Sequence, residues 1–346
     1  MAAILPSLKI KLCLLFLCIG SFCANAQKTD TIFLKNKDRI IGEMKDMRNG
    51  VLTVETDYSD QDFKVTWVDI LKIQSKRTFI ISLKEGDRLY STIQIDSTDV
   101  NKVILQYGSL NITTSIKDIV YVKSQESSFF SRLDASVSIG YNFTKSNSLS
   151  QLTVRSSLGY TTHKWSASAT YNSVRSNQTD TDQIQRTDGV VSFRYFLKHD
   201  YFLPIASEYL SNDEQKLELR VNTKGGLGKY FVHNNKTYFG GIAGLGWNNE
   251  QFKDSAEGTR NSLESFVSLE LNMFDIKDFS LLTKGSAYLS ITEKDRTRGD
   301  FSIDLKYDLP LDFFIKFSVS YNYDSKPIEG AAYDDYVFQT TFGWEL

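Results

Sequence analysis

The sequence predicts an all-β protein. An antiparallel transmembrane β-barrel of about twelve strands follows a small β domain built from two SH3-like or Sm-like repeats. Three observations predict it. The chain holds 18 Tyr and 23 Phe but only 4 Pro, a composition that favours pleated strands over helices. Its first third repeats itself without a gap. Its last two thirds alternate oily and polar side chains over long segments, up to "YVFQTTFGWEL" at residues 336–346.

The first element is a targeting segment. "MAAILPSLKIKLCLLFLCIGSFCANAQ" carries Lys9 and Lys11, an apolar run from Leu12 to Ile19, and Ala24-Asn25-Ala26. These are the charged, apolar and small-residue parts of a secretory signal peptide, residues 1–26, cleaved after Ala26. Cys23 offers a lipoprotein anchor as the rival, but Phe22 stands where a small residue is needed. Cleavage removes Cys13, Cys18 and Cys23, all 3 cysteines, which leaves neither disulfides nor thiolate metal sites. Loss of Lys9 and Lys11 from the 40 basic residues leaves 38 against 42 acidic ones. That near-neutral balance implies no nucleic-acid partner. No later segment is long and apolar enough for a membrane helix.

Residues 27–124 form the second element. "IFLKNKDRIIG" from Ile32 and "ISLKEGDRLYS" from Ile81 match at one offset, which also aligns Asp69 with Asp118, Ile70 with Ile119 and Ile73 with Val122. The copies, about 30–75 and 79–124, read as short strands with "KNKD" and "KEGD" as hairpin turns. Lys35, Asp38, Arg39 and their counterparts Lys84, Asp87, Arg88 are expected to be solvated turn residues, with a recognition surface as the alternative.

Residues 125–346 form the third. After "SQESSFFSR" at 124–132, twelve strands are expected near 131–144, 149–161, 164–175, 187–198, 200–210, 214–230, 236–251, 261–273, 277–292, 298–308, 311–324 and 333–346. In the eleventh, Phe313, Ile315, Phe317, Val319, Tyr321 and Tyr323 oppose Lys316, Ser318, Ser320, Asn322 and Asp324. Successive side chains on a strand point to opposite faces, so each strand has one greasy side and one polar side. A soluble sandwich would bury the greasy sides between two sheets. Three features favour lipid instead. The strands exceed the usual five or six residues and suit a tilted bilayer crossing. Aromatics gather near strand ends, and the longer connections follow odd-numbered strands, as in outer-membrane barrels. The last strand is expected to pair with the first, because an open edge in lipid leaves backbone groups unsatisfied. Tyr336, Phe338, Phe342, Trp344 and Leu346 are expected to form the signal that barrel-assembly machinery reads. The location expected is the outer membrane, with residues 27–124 in the periplasm.

The exported repeat, the alternating strands and the ending "YVFQTTFGWEL" resemble the YdiY-like, salt-induced outer-membrane protein family, a domain of unknown function. The resemblance covers about residues 130–346. Its Gram-negative members of the Bacteroidetes group commonly carry such an N-terminal extension. It implies an outer-membrane barrel and brings no catalytic motif.

Nothing in the sequence asks for an enzyme, a cofactor or a metal. His163, His199 and His233 fall in separate turns, too far apart for ligands that must sit about 2 Å from one ion. Asp180 and Asp182 lack a partner base. "KGGLGKY" at 224–230 lacks the spacing and the helix of a phosphate loop, and "GGIAGLGW" at 240–247 reads as close strand packing. The polar face is more informative. Arg132, Asp134, Arg155, Glu218, Arg220, Lys224, Glu264, Glu270, Asp304, Lys306 and Lys316 are expected to line the lumen, either as a salt-bridged plug or as a pore wall. The function expected is a narrow channel or stress-related envelope protein for small solutes. The alternative is a closed docking barrel whose residues 27–124 bind a periplasmic protein or peptidoglycan.

Overall fold

The computed structural model describes residues 29–99, 101–125, 132–144, 149–178, 183–213, 217–252, 259–276, 278–310, 313–327 and 333–344. The expected signal peptide, Asp180, Asp182 and Leu346 lie outside them.

Ten short strands come first: β1 (Asp30–Leu34), β2 (Arg39–Arg48), β3 (Val51–Glu55), β4 (Phe63–Thr66), β5 (Ile70–Gln74), then β6 (Phe79–Leu83), β7 (Arg88–Ile95), β8 (Lys102–Tyr107), β9 (Leu110–Ser115) and β10 (Ile119–Ser124). They make one ten-stranded sheet in which β1 pairs with β2 and β5, β6 with β7 and β10, and β10 also with β2. The hydrogen bonds recur along it. Leu34 N–H donates to the Asp38 carbonyl at 2.9 Å and Leu83 N–H to that of Asp87 at 2.8 Å. Lys35 N–H reaches the Asp69 carbonyl at 2.9 Å, and Lys84 N–H that of Asp118 at 2.8 Å. Both turns need a left-handed residue, which is Lys37 (φ 79°) in one and Gly86 (φ 87°) in the other. Only glycine adopts that conformation without cost.

The core follows from the strand pattern. Ile32, Met44, Trp67, Ile70, Ile73, Phe79, Ile81, Ile93, Ile119 and Val122 are buried together. Trp67 begins a 3-10 turn, Trp67–Asp69, and its indole N–H donates to the Ile116 carbonyl of the second such turn at 2.8 Å. An ion pair, Asp30 with Arg77, is buried beside them. Asp30 accepts from Met44 N–H at 2.8 Å and from Arg77 at 3.0 Å, and Ser75 Oγ also donates to it. Burial raises the Asp30 pKa above its ordinary value. Its stabilising contribution is therefore present below the ordinary carboxylate range and is lost as pH rises through the folded pKa. Asp30→Asn should gain stability relative to the parent as pH rises above the ordinary carboxylate range. Urea midpoints of the two proteins over that rise check this.

Twelve longer strands follow. They are β11 (Leu133–Thr144), β12 (Leu149–Thr161), β13 (Trp165–Asn177), β14 (Ile184–Phe196), β15 (Tyr201–Asn212) and β16 (Leu217–His233). Then come β17 (Thr237–Phe252), β18 (Thr259–Ile276), β19 (Phe279–Ser290), β20 (Thr297–Asp308), β21 (Phe313–Asp324) and β22 (Asp334–Trp344). No expected span is displaced by more than three residues at either end. Each strand pairs antiparallel with the next in one twelve-stranded sheet. Connections after β12, β14, β16, β18 and β20 span two to four residues, against four to nine after the odd-numbered members.

The expected seam is corrected by the structure. Among the described residues no ladder joins β22 to β11, so these strands are the two edges of the sheet. Every other neighbouring pair is brought together by a short connection, whereas the seam requires the whole chain of strands to close, with no turn to fix its register.

The apolar face of this sheet is uncovered. On β11, Val137, Ile139, Tyr141 and Phe143 are 72%, 71%, 66% and 62% exposed. The same face continues through Leu152, Leu158, Tyr171, Val191, Phe193, Ile205, Leu245, Val267, Leu269, Phe301, Phe317, Tyr336, Phe338 and Phe342. Their cross-strand registers keep these positions on one side. Water-soluble monomers rarely expose contiguous apolar patches beyond a few hundred Å². The glycines of β16 and β17 pack closely: a Cβ on Gly226 would meet the Ala243 carbonyl at 2.2 Å, and one on Gly244 the Gly225 carbonyl at 2.1 Å.

Candidate functional site

The opposite face of the large sheet is polar, and its charges pair. Register places Arg220 opposite Glu250, and Glu250 opposite Arg260. Arg220 donates to Glu250 at 2.7 Å. Glu264 takes Arg298 in a two-bond clasp at 3.1 and 2.5 Å. Around them Arg260 holds Glu293 at two distances of 2.9 Å, and Arg296 bridges Glu293 at 3.0 Å and Asp324 at 2.7 Å. Glu250, Glu264 and Arg296 are buried, together with Asn248 and Ser262. This belt lies toward the ends of the strands that carry the longer connections. Bidentate arginine–carboxylate geometry suits such burial, because paired charges with satisfied donors tolerate the loss of water.

Further along the same face Lys224 pairs with Glu208 at 2.7 Å, Lys284 with Glu270 at 3.2 Å, and Lys316 with Asp304 at 3.0 Å. Ser318 Oγ donates to Asp304 at 2.5 Å. Lys306 pairs with Asp308 at 3.0 Å and lies over the Phe314 ring. A cavity of ≈ 400 Å³ opens here, lined in part by Arg194, Glu208, Lys224, Glu270 and Lys284.

Three of the sequence-derived positions lie elsewhere. Asp134, at the start of β11, is held by Lys123 at 2.5 Å and Arg48 at 3.4 Å from the ten-stranded sheet. Arg132 donates to the Gln125 side-chain oxygen. Glu218 is exposed at a bulge, where the β16 register shifts between Leu217 and Leu219. Arg155 shares the polar face with Ser138 and Asn172 but lies exposed. Sequence periodicity put Asp324 on the polar face without assigning it to the lumen, and left out Glu208, Glu250, Arg260, Lys284, Glu293, Arg296 and Arg298. Even-number parity, followed along the whole of β15–β20, would have found Glu208, Glu250, Arg260, Lys284 and Arg298. Of the proposed terminal signal, Tyr336, Phe338 and Phe342 are exposed on the apolar face, and Trp344 closes β22.

The ten-stranded sheet docks on the short-connection end of the large one. Asn235, between β16 and β17, donates to the carbonyls of Lys117 at 3.1 Å and Ile119 at 2.8 Å. Tyr238 OH donates to the Val120 carbonyl at 3.2 Å. Tyr90 packs on His163, with ring centroids 4.3 Å apart. Gly50 and Gly86 sit against Asn235 and Asp200 so tightly that a Cβ would come within 2.3 and 2.2 Å of their backbones. One expectation changes here. Arg39 is exposed in its turn, but Arg88 is packed against the large sheet, its guanidinium 3.7 Å from the centre of the Phe196 ring. Burial lowers its pKa. Among the described residues no three His, Cys, Asp or Glu side chains converge as a metal site would need, and no helix is long and apolar enough to cross a membrane.

An amphipathic twelve-stranded antiparallel sheet with an ion-paired polar face and a capping β domain defines the class: an all-β protein organised as a large two-faced sheet. The chain belongs to DUF481, a family of proteins of unknown function, which it matches over residues 137–345. Among solved structures it is similar to BamA from Haemophilus ducreyi lacking POTRA domains 1–3. Identity is 14%, covering 85% of this chain and 76% of that one, with a TM-score of 0.26, a likeness too slight to carry an argument. Comparison with curated proteins gives no match.

Proposed function

We propose that the protein is an outer-membrane β-barrel that passes small solutes through a narrow, ion-pair-lined conduit, serving the envelope under stress. The uncovered apolar face carries this reading. It runs across all twelve strands, and acyl chains are the surroundings that such a face suits. In lipid the open edges of β11 and β22 need partners, since unsatisfied backbone groups there are costly. The signal-like segment 1–26 supports export, and the docked sheet of residues 30–124 then occupies the periplasmic mouth. Its reading as two copies of one five-stranded unit is supported by the hydrogen bonds that recur at a fixed offset. Barrel-assembly machinery is the partner during biogenesis.

Conductance of the purified protein in planar bilayers tests the conduit. Small, discrete openings are expected, and they should grow when Arg296→Ala and Glu293→Ala remove the centre of the charge belt. A bilayer that stays silent with the parent and with both variants overturns the conduit. It would leave a closed barrel whose docked domain binds a periplasmic protein or peptidoglycan, a reading that the buried belt favours.

A further inference from the structure

The joint between the two sheets encloses a cavity of ≈ 140 Å³ lined by Ser82, Arg88, Arg194, Asp200, Tyr230 and His233 among others. Its charge is unbalanced. Two guanidiniums enter it, and its one lining carboxylate, Asp200, is already engaged by His233 Nδ1 at 2.7 Å. Arg194 donates to Tyr230 OH at 2.7 Å, which leaves the phenol its own hydrogen to give. Arg88 and Arg194 each lie over an aromatic ring, Phe196 at 3.7 Å and Phe202 at 4.7 Å. Stacking satisfies the face of a guanidinium but not the N–H groups in its plane. Among the described residues neither Arg88 Nε nor Ser82 Oγ has a hydrogen-bond partner, and Ser82 is 2% exposed. Buried polar groups are normally paired, so these unfilled donors point at a missing acceptor. Nothing in the turn demands the arrangement, because Arg39, at the equivalent place in the first half of the domain, stands in solvent.

We propose that this cavity binds a phosphate group. The donor set of two arginines, a serine hydroxyl and a tyrosine hydroxyl exceeds what the two oxygens of a carboxylate use and suits a tetrahedral oxyanion. The volume admits a group of that size and excludes a nucleotide. A phospholipid headgroup at the mouth or free phosphate would supply the same chemistry. The site does not depend on whether the large sheet conducts.

The test is calorimetric titration of inorganic phosphate into the full-length mature protein in detergent micelles, at constant ionic strength. One saturable site is expected. Arg88→Gln should weaken it by about tenfold or more, the worth of a charge-assisted hydrogen bond. Ser82→Ala, which removes no charge and leaves the joint packed, should weaken it by a smaller factor. Arg39→Gln should leave it unchanged. Short-chain phosphatidylglycerol that competes with phosphate assigns the headgroup as a ligand, and failure to compete assigns the free ion. Absence of a saturable site, affinity unchanged in both Arg88→Gln and Ser82→Ala, or equal binding of acetate would each overturn the proposal.

Discussion

Val267→Arg is expected to cost about 2–4 kcal/mol of folding free energy in a bilayer, the range for a guanidinium near the middle of a lipid-facing strand. Val267 lies mid-strand in β18, exposed between Ala243 and Ala287 on the apolar face. Neither neighbour offers a counter-charge, and both are too small to shelter the stem of an arginine. Asn142→Arg, on the polar face of β11, should be nearly neutral, because its side chain stays among polar groups. Urea titration of both variants folded into lipid vesicles, followed by the loss of the compact form in gel electrophoresis, separates them. If the mature chain is soluble without detergent and both variants unfold together with the parent, the apolar face is covered by something other than lipid. The conduit would be lost with it.

Glu264→Ala should be still more damaging, at about 3–5 kcal/mol, because it strands Arg298, whose side chain is only 15% exposed, without its partner. Glu264 is 2% exposed, and two of its contacts come from one guanidinium. The cost belongs mainly to the charge left behind. The double variant Glu264→Ala/Arg298→Ala should therefore recover a good part of the loss, whereas independent contributions would simply add. Denaturation midpoints of the two single variants and the double variant in vesicles decide between these outcomes.

Most of the fold was legible because both of its signals are local. Alternation with a period of two marks a strand wherever one face meets oil and the other meets water, and this placed Phe313–Asp324 and Leu133–Thr144 to within two residues. The internal repeat is the other: Ile70 and Ile119, and Ile73 and Val122, which the matching offset aligns in sequence, are all buried in the one core. What sequence could not supply depended on contacts between distant segments. The fate of Arg88 illustrates this: its motif matches that of Arg39, and only its docking on Phe196 of the large sheet separates a solvated side chain from a half-buried one. The missing seam has the same origin, since no turn sets the register of β22 against β11. Glu218 was misplaced by a bulge, where two steps along β16 oppose one step along β17 and the extra residue leaves the ladder.

The grip of Asn235 and Tyr238 falls on main-chain oxygens of Lys117, Ile119 and Val120. A clamp of that kind is indifferent to which side chains the clamped segment carries. Over evolutionary time the outward surface of residues 30–124 is thus at liberty to diverge and acquire new specificities, while the attachment itself stays put.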